Sequence, residues 1–252
     1  TVTPTVTQGN TVTPTVTQVS QQTDTSSVTV LPQRVFPSFY CMGNGAPWCE
    51  CGAEIHVIDG LGALALCRIN KIQGKEMLLE LVNLERLKKS RDYYFHLFIA
   101  PTKQNDRIEW MFEKAVEAGL DEITFIETDH SEKNRVNISR LERIALSAIK
   151  QSAQFYLPKI NPLVKLSSIS LDGNYMAAHC RDDGAKIGLV EALGKIKNIK
   201  SFSILIGPEG DFSPAEIQRF EQKNVLPISL GNNRLRTETA GLYCAMVLNA
   251  NL

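Results

Sequence analysis

Between residues 55 and 84 the apolar positions come in short runs broken by turn residues: Ile55–Ile58, the tetrapeptide Asp59-Gly60-Leu61-Gly62, then Ala63–Ile69 and Glu76–Leu84. Runs of that length around an Asp-Gly pair predict strands joined by a hairpin. Beyond the charged bunch Arg86, Lys88, Lys89 and Arg91 the period changes. Phe95–Ala100 reads as a strand, after which Ile108, Met111, Phe112 and Ala115 recur at helical spacing behind Asn105 or Asp106 as a cap. Ile123–Ile126 predicts the next strand. Ser139 and Glu142 have capping-box spacing for a helix with Leu141, Ile144, Ala145, Ala148 and Ile149 on one side. Further strands are predicted at Tyr175–Ala178, Ile187–Val190, Phe202–Ile206 and Leu226–Leu230. Alternation of this kind implies an α/β domain with a mainly parallel sheet.

The chain divides into a low-complexity arm over 1–30, a small β-rich domain over 31–90 and the α/β domain over 91–252. In the arm, the octapeptide Thr1–Gln8 recurs unchanged at Thr11–Gln18, and Pro4 and Pro14 remove ladder donors from an otherwise strand-like Thr/Val alternation.

Two glycine-containing stretches close a short apolar run and open a helix pattern: Ile206–Ser213 and Leu230–Ala240. Ligands of parallel α/β sheets sit outside the carboxyl ends of the strands, where Gly207 and Gly231 fall. A strand passing through glycine into a helix start exposes backbone N–H groups to a ligand edge, so the pair suggests a cofactor pocket. Ser213, Pro214 and Glu216 supply an N-cap, a proline at the first helical position and a capping-box partner. Neither stretch is a dinucleotide or P-loop motif, and tight turns alone would also use these glycines.

Composition narrows the class. The 252 residues are 43% hydrophobic without a membrane-length apolar run, which predicts a soluble protein with no membrane partner. A formal net charge of +0 excludes nucleic-acid binding by bulk charge and leaves a local basic face. Six cysteines without paired C-x-x-C spacing predict reduced thiols, a cytoplasmic location and no metal; Cys41, Cys49, Cys51 and His56 match no common zinc arrangement. Cys244 falls in an apolar helix pattern and reads as a buried thiol. His56, His96, His130 and His179 lack a catalytic partner pattern.

The two glycine stretches, and above all Leu235-Arg236-Thr237-Glu238-Thr239-Ala240, resemble the paired signature of the small-subunit ribosomal RNA uracil-N3 methyltransferases, a family of the SPOUT class. The resemblance extends through Lys103, Asp106-Arg107, Lys114, Glu117, Gly119, Arg143, Gln151-Ser152 and Pro158, and covers the chain from about Phe95 onward. It implies a C-terminal trefoil-knotted domain behind a small PUA-like β-barrel, a homodimer with the active site at the interface, and S-adenosylmethionine as cofactor. By motif match, Leu205, Ile206, Gly207, Gly210, Leu230, Gly231, Leu235, Arg236 and Ala240 would line the cofactor pocket. The substrate implied is 16S ribosomal RNA or the small ribosomal subunit. A knotted methyltransferase acting on transfer RNA or a ribose hydroxyl, and a non-catalytic RNA-binding or assembly protein, are the alternative readings.

Uracil N3 lies on the base-pairing edge and carries a proton, so the base must be unpaired and its negative charge stabilised as the proton leaves. Arg236 suits that task, since a guanidinium stays protonated. Glu238 would orient Arg236 or accept a proton; alternatively Arg236 caps a loop and Glu238 offsets the dipole of the last helix. RNA contacts are expected from Arg86, Lys88, Lys89, Arg91, Lys103, Arg107, Lys133, Arg135, Arg140 and Arg143 on one face. Three departures stand out. Asp211 replaces a usual second glycine, Gln154 replaces a frequent arginine, and the His-His and Val-Leu-Arg segment of the family has no counterpart before Gly52.

Overall fold

The computed structural model describes residues 15–20, 50–73, 76–89, 91–132, 135–181, 186–195 and 200–251. The chain forms two compact units, 1–88 and 89–252.

In the first unit, β2 (Glu54–Ile58) and β3 (Ala63–Gln73) form an antiparallel hairpin. The Asp59 carboxylate accepts from the amides of Leu61 (2.7 Å) and Ala63 (3.0 Å), closing the turn that Gly60 and Gly62 enter at positive φ. β4 (Glu76–Arg86) pairs with β3, and Ile55, Val57, Cys67, Ile69 and Leu79 meet in a small core. β1 (Thr15–Ser20) lies parallel to β4, so the repeat read as an arm contributes a strand. It begins at Thr15, after Pro14, and contains no proline.

The second unit carries a seven-stranded sheet of β5 (Tyr94–Ile99), β6 (Glu122–Glu127), β7 (Lys159–Lys165), β8 (Tyr175–Ala178), β9 (Ile187–Gly188), β10 (Ser201–Ile206) and β11 (Leu226–Ser229). Its order is β7-β6-β5-β10-β8-β11-β9, and every described pair is parallel. The expected α/β class is therefore present. Edge strand β7 was not predicted: its side chains are exposed or half-buried without a clean alternation, and Pro162 is tolerated because the strand is at the edge. The strand expected at Ile187–Val190 ends at Gly188, where Leu189, Ala192 and Leu193 turn a buried face of α3 (Leu189–Lys195) inward.

Two caps also differ from expectation. α1 (Asn105–Glu117) is preceded by Gln104 with no side-chain cap, and α2 (Ile138–Gln151) is capped by Asn137, whose side chain accepts from the Arg140 amide at 3.1 Å. Ser139 thus sits inside the first turn of α2. α4 (Pro214–Gln222) does have the full Ser213–Glu216 capping box. α5 (Thr237–Asn251) packs on α1, which also packs on α2.

Successive residues of β5 point to opposite faces of the sheet. Phe98 joins Leu205, Phe212, Ile217 and Phe220 beneath α4. Leu97 and Ile99 face the other way, toward α1 and α5, where a Cβ on Gly241 would lie 2.8 Å from Ile99 Cδ1 and 3.4 Å from Met111 Sδ. At the start of the sheet, His96 Nε2 bonds Thr124 Oγ1 (2.7 Å), while Glu122 accepts from Tyr94 (2.9 Å), Lys159 (2.8 Å) and Asn161 (2.6 Å). Burial pushes the His96 imidazole down to about 4. Burial alone would raise the Glu122 carboxyl, but the bonds from Lys159 and Asn161, with the pull of His96, outweigh it and hold the group below its ordinary value.

Candidate active site

The first glycine stretch leaves the sheet where β10 ends. Leu205 and Ile206 are buried, and a Cβ on Gly207 would sit 3.1 Å from the Phe212 ring. The chain turns back at Asp211, a non-glycine residue at φ 62. Its side chain steadies that costly conformation: Oδ1 accepts from the Phe212 amide (2.9 Å) and Oδ2 from the Cys180 amide (2.8 Å). The departure from glycine therefore adds a tether to the segment that follows β8. A second tether comes from the segment after β6. There His130 Nδ1 donates to the carbonyls of Gly210 (3.1 Å) and Asp211 (3.0 Å), and Ser213 Oγ donates to Asp129 (2.5 Å). A Cβ on Gly210 would come within 3.1 Å of His130 Cβ, so glycine eases the close approach of these two segments. His130, read from the sequence as partnerless, is a structural donor to this loop.

The second stretch follows β11. Gly231 has φ 123, and a Cβ built on it would meet nothing within 4 Å. The backbone there demands glycine while the space around it is open to a ligand. Leu230 and Leu235 are half-buried and Ala240 is buried. Arg236 immediately precedes α5: its carbonyl accepts from the Ala240 amide (2.8 Å), closing the first helical turn, and its side chain is exposed. Thr237 is 5% exposed, and its hydroxyl donates to the Gly207 carbonyl at 2.9 Å. That bond joins the two stretches. A weaker one, from Arg234 to the Glu209 carbonyl (3.4 Å), runs beside it.

Glu238 lies in the first turn of α5, its side chain 8% exposed, with Arg107 Nη1 of α1 at 3.3 Å. Its charged neighbour is thus Arg107, expected among the RNA contacts, rather than Arg236. Between α1 and the start of α5 opens a groove of about 520 Å³, lined by Arg107, Trp110, Arg234, Leu235, Arg236 and Glu238. Both proposed catalytic residues face the same space. Cys244 is fully buried on α5, and burial pushes its thiol well above the ordinary range. Such a thiol stays neutral and takes no part in nucleophilic chemistry.

Several of the basic residues expected to meet RNA are paired within the protein. Lys89 and Arg91 both pair with Asp121, whose side chain is 1% exposed; Arg91 lies at 2.7 Å and also bonds the Gly119 carbonyl, and Asp121 accepts from the Phe95 amide at 2.8 Å. These two cations satisfy a buried carboxylate at the entry to β5. Lys103 pairs with Glu132 (2.5 Å) and Arg140 with Glu109 (2.8 Å), while Arg143 reaches the Ser139 carbonyl (3.4 Å). Arg135 is exposed, Arg86 and Lys88 are exposed on the first unit, and Lys133 lies outside the described residues. Gln154 is used within the fold: its amide donates to the carbonyls of Val116 (2.9 Å) and Glu117 (2.7 Å), capping the end of α1.

Cys41 and Cys49 lie outside the described residues, among which no group of three metal-ligating side chains occurs. Among the same residues no helix is long and apolar enough to cross a membrane.

A parallel sheet with a groove beside glycine-bearing strand ends is where α/β enzymes of this architecture bind their ligands. Residues 89–249 match the family model of the RNA methyltransferase domain, and the chain belongs to that family. Among curated relatives it is similar to the ribosomal RNA small subunit methyltransferase E of Buchnera aphidicola subsp. Acyrthosiphon pisum, 27% identical over 189 residues that cover 70% of this chain and 72% of that one. It is also similar to the ribosomal RNA small subunit methyltransferase E 2 of Borreliella burgdorferi, 29% identical over 210 residues, 80% of this chain and 84% of the other. A probable rRNA-methyltransferase from Porphyromonas gingivalis superposes with a TM-score of 0.72 at 34% identity, over 80% of this chain and 86% of that one. The methyltransferase E of Neisseria gonorrhoeae, solved bound to S-adenosyl methionine, shares the fold with a TM-score of 0.66 at 20% identity, over 80% and 84% of the two chains.

Proposed function

We propose that this protein transfers the methyl group of S-adenosylmethionine to N3 of a specific uridine in small-subunit (16S) ribosomal RNA. The observation that carries the reading is the Thr237–Gly207 hydrogen bond, which holds the two glycine stretches together beside a groove faced by Arg236 and Glu238. The names of the curated relatives and the cofactor in the Neisseria structure support it.

The residues suit the cofactor. Open space at Gly231 and the buried strand ends Leu205 and Ile206 offer a backbone-lined cradle, completed by Gly207, Gly210, Leu230, Leu235, Arg236 and Ala240. The cofactor's sulfonium supplies an electrophilic methyl group. On the substrate side, the Arg236 guanidinium stabilises negative charge on the uracil oxygens as the N3 proton departs. Glu238, steadied by Arg107, presents a carboxylate that takes or steers that proton. The trefoil knot belongs to this reading, as does a PUA-like role for the β-rich first unit in RNA binding. So does a homodimer with the active site at its interface, for which Tyr243 and Met246 offer exposed apolar surface on α5. The site of action is the cytoplasm, where ribosomal RNA is made accessible to it.

The test uses purified protein, S-adenosylmethionine labelled in its methyl group, and 16S ribosomal RNA or small subunits from cells lacking this protein. Nuclease digestion and mass spectrometry should yield labelled 3-methyluridine. Label on a ribose oxygen, on another base or nowhere would overturn the reading.

A further inference from the structure

Trp110 occupies an unusual place on α1. Taking about 100° per residue, Ile108, Met111, Phe112, Ala115 and Val116 cluster on one side of the helix, and Trp110 points almost directly away from them. Its side chain is 50% exposed, so core packing does not account for an indole there. Arg107 lies one turn earlier on the same outward face, and both line the groove with Arg234 and Arg236. The groove also holds the carboxylates of Asp106 and Glu238, so its guanidiniums outnumber its carboxylates three to two, and a flat aromatic surface beside that net positive charge complements a base flanked by phosphates. Of the four side chains, only Arg107 is tied to a carboxylate in that groove, at 3.3 Å from Glu238, and its side chain is still 39% exposed.

We infer that Trp110 is a stacking platform for a nucleotide base of the RNA substrate, with Arg107 and Arg234 set to meet the phosphates on either side. The inference deepens the methyltransferase reading and rests on it for the identity of the RNA. Stacking on a π-face is indifferent to base identity, so Trp110 holds an extruded base in the groove while Arg236 acts on it. Trp110 is therefore a positioning residue.

The sequence contains two tryptophans, Trp48 and Trp110, so Trp48→Phe leaves a single indole reporter. The intact Trp48→Phe protein is titrated with a short single-stranded oligouridylate, then with a ribose-phosphate chain of the same length lacking bases. Saturable quenching by the first and not by the second is expected. By calorimetry, which needs no indole, Trp110→Ala should weaken oligouridylate binding about tenfold, the scale of one base–aromatic stack, and Trp110→Phe should restore most of it. S-adenosylmethionine affinity should be the same in both variants, which also reports that they are folded. Equal quenching by both chains, or unchanged affinity in Trp110→Ala, overturns the inference. So does an indole already shielded from acrylamide in the free protein, with Trp110→Ala becoming monomeric, because a second copy of this chain would then cover the residue. Base-dependent quenching without methyl transfer by the parent protein would remove the reaction and leave the stack. Methyl transfer by the parent protein and by Trp110→Ala alike, with no base-dependent quenching of Trp110 in Trp48→Phe, would keep the reaction and remove the stack.

Discussion

Arg236 carries two duties on one residue: its carbonyl starts α5, and its guanidinium faces the groove. Replacing the side chain leaves the first duty intact. Arg236→Ala should therefore unfold at nearly the parent temperature while kcat for RNA methylation falls about 100- to 1,000-fold, the usual loss for one charge-stabilising donor. Glu238 behaves differently because Arg107 pairs with it. Arg107→Ala and Glu238→Gln should each lower kcat, and the double variant should lose less than the two losses combined, with a coupling of about 0.5–3 kcal/mol. Additive losses would mean that the pair does not act as a unit. Arg236 and Glu238 could be picked out of the sequence because they stand in a dense local motif, and the structure turns both onto one groove. The Arg107–Glu238 pair could not, since 131 residues separate its members and no local rule links them. His130 and Thr237 were missed for the same reason: each bonds a backbone carbonyl of the first glycine stretch from a distant segment. Trp110 did leave a trace, an aromatic on the polar side of an amphipathic helix.

At the scale of elements, α5 sits close to the sheet because Gly241 has no side chain. Glycine inside a helix costs about 1 kcal/mol relative to alanine, so its presence there points to a packing need. Gly241→Leu would drive its side chain into Ile99, Met111 and Leu97 and should destabilise the protein by about 1–3 kcal/mol, read as a lower urea midpoint with an unchanged slope. An unchanged midpoint would show that α5 has room to move outward at no cost. Because Thr237 and Glu238 ride on the same helix, methyl transfer should fall in this variant as well. The element sequence was readable wherever burial imposed a period. α1, α2, β6, β8 and β10 all appeared within a residue or two of their predicted places, since each buries one clear face or both. β7 and β9 failed that condition: one is an exposed edge, and the other is only two residues long before helical burial takes over. The Ser213 cap was legible because Pro214 reinforced it, whereas Asn137 and Ser139 are both competent caps and sequence alone does not rank them.

Over the whole molecule, stability should fall in mild acid because of the cluster at the start of the sheet. His96 is held near 4 in the folded protein against 6.5 for the free imidazole. Between those values the unfolded chain binds a proton that the folded one refuses, so stability is fully present above about 6.5 and is lost as pH drops toward 4. Glu122, held below 4.5, adds a loss in the same direction at still lower pH. Urea unfolding of the parent protein should show this slope, and His96→Gln should flatten its upper part; an identical slope in both would clear His96 of the effect. The parallel α/β architecture was legible from alternation alone, but the strand order β7-β6-β5-β10-β8-β11-β9 was not, because crossovers leave no mark on local periodicity. The hydrogen bond from Thr237 to Gly207 has a consequence for ligand binding. In the proposed reading the cofactor lies against both stretches and the RNA enters the groove beside the second, so each ligand should find its site partly ordered by the other. Linkage then requires reciprocity: the factor by which S-adenosylmethionine tightens RNA binding must equal the factor by which RNA tightens S-adenosylmethionine binding. Calorimetric titrations in both orders should return one common factor above unity, and Thr237→Val, which keeps the shape but removes the donor, should bring it toward one.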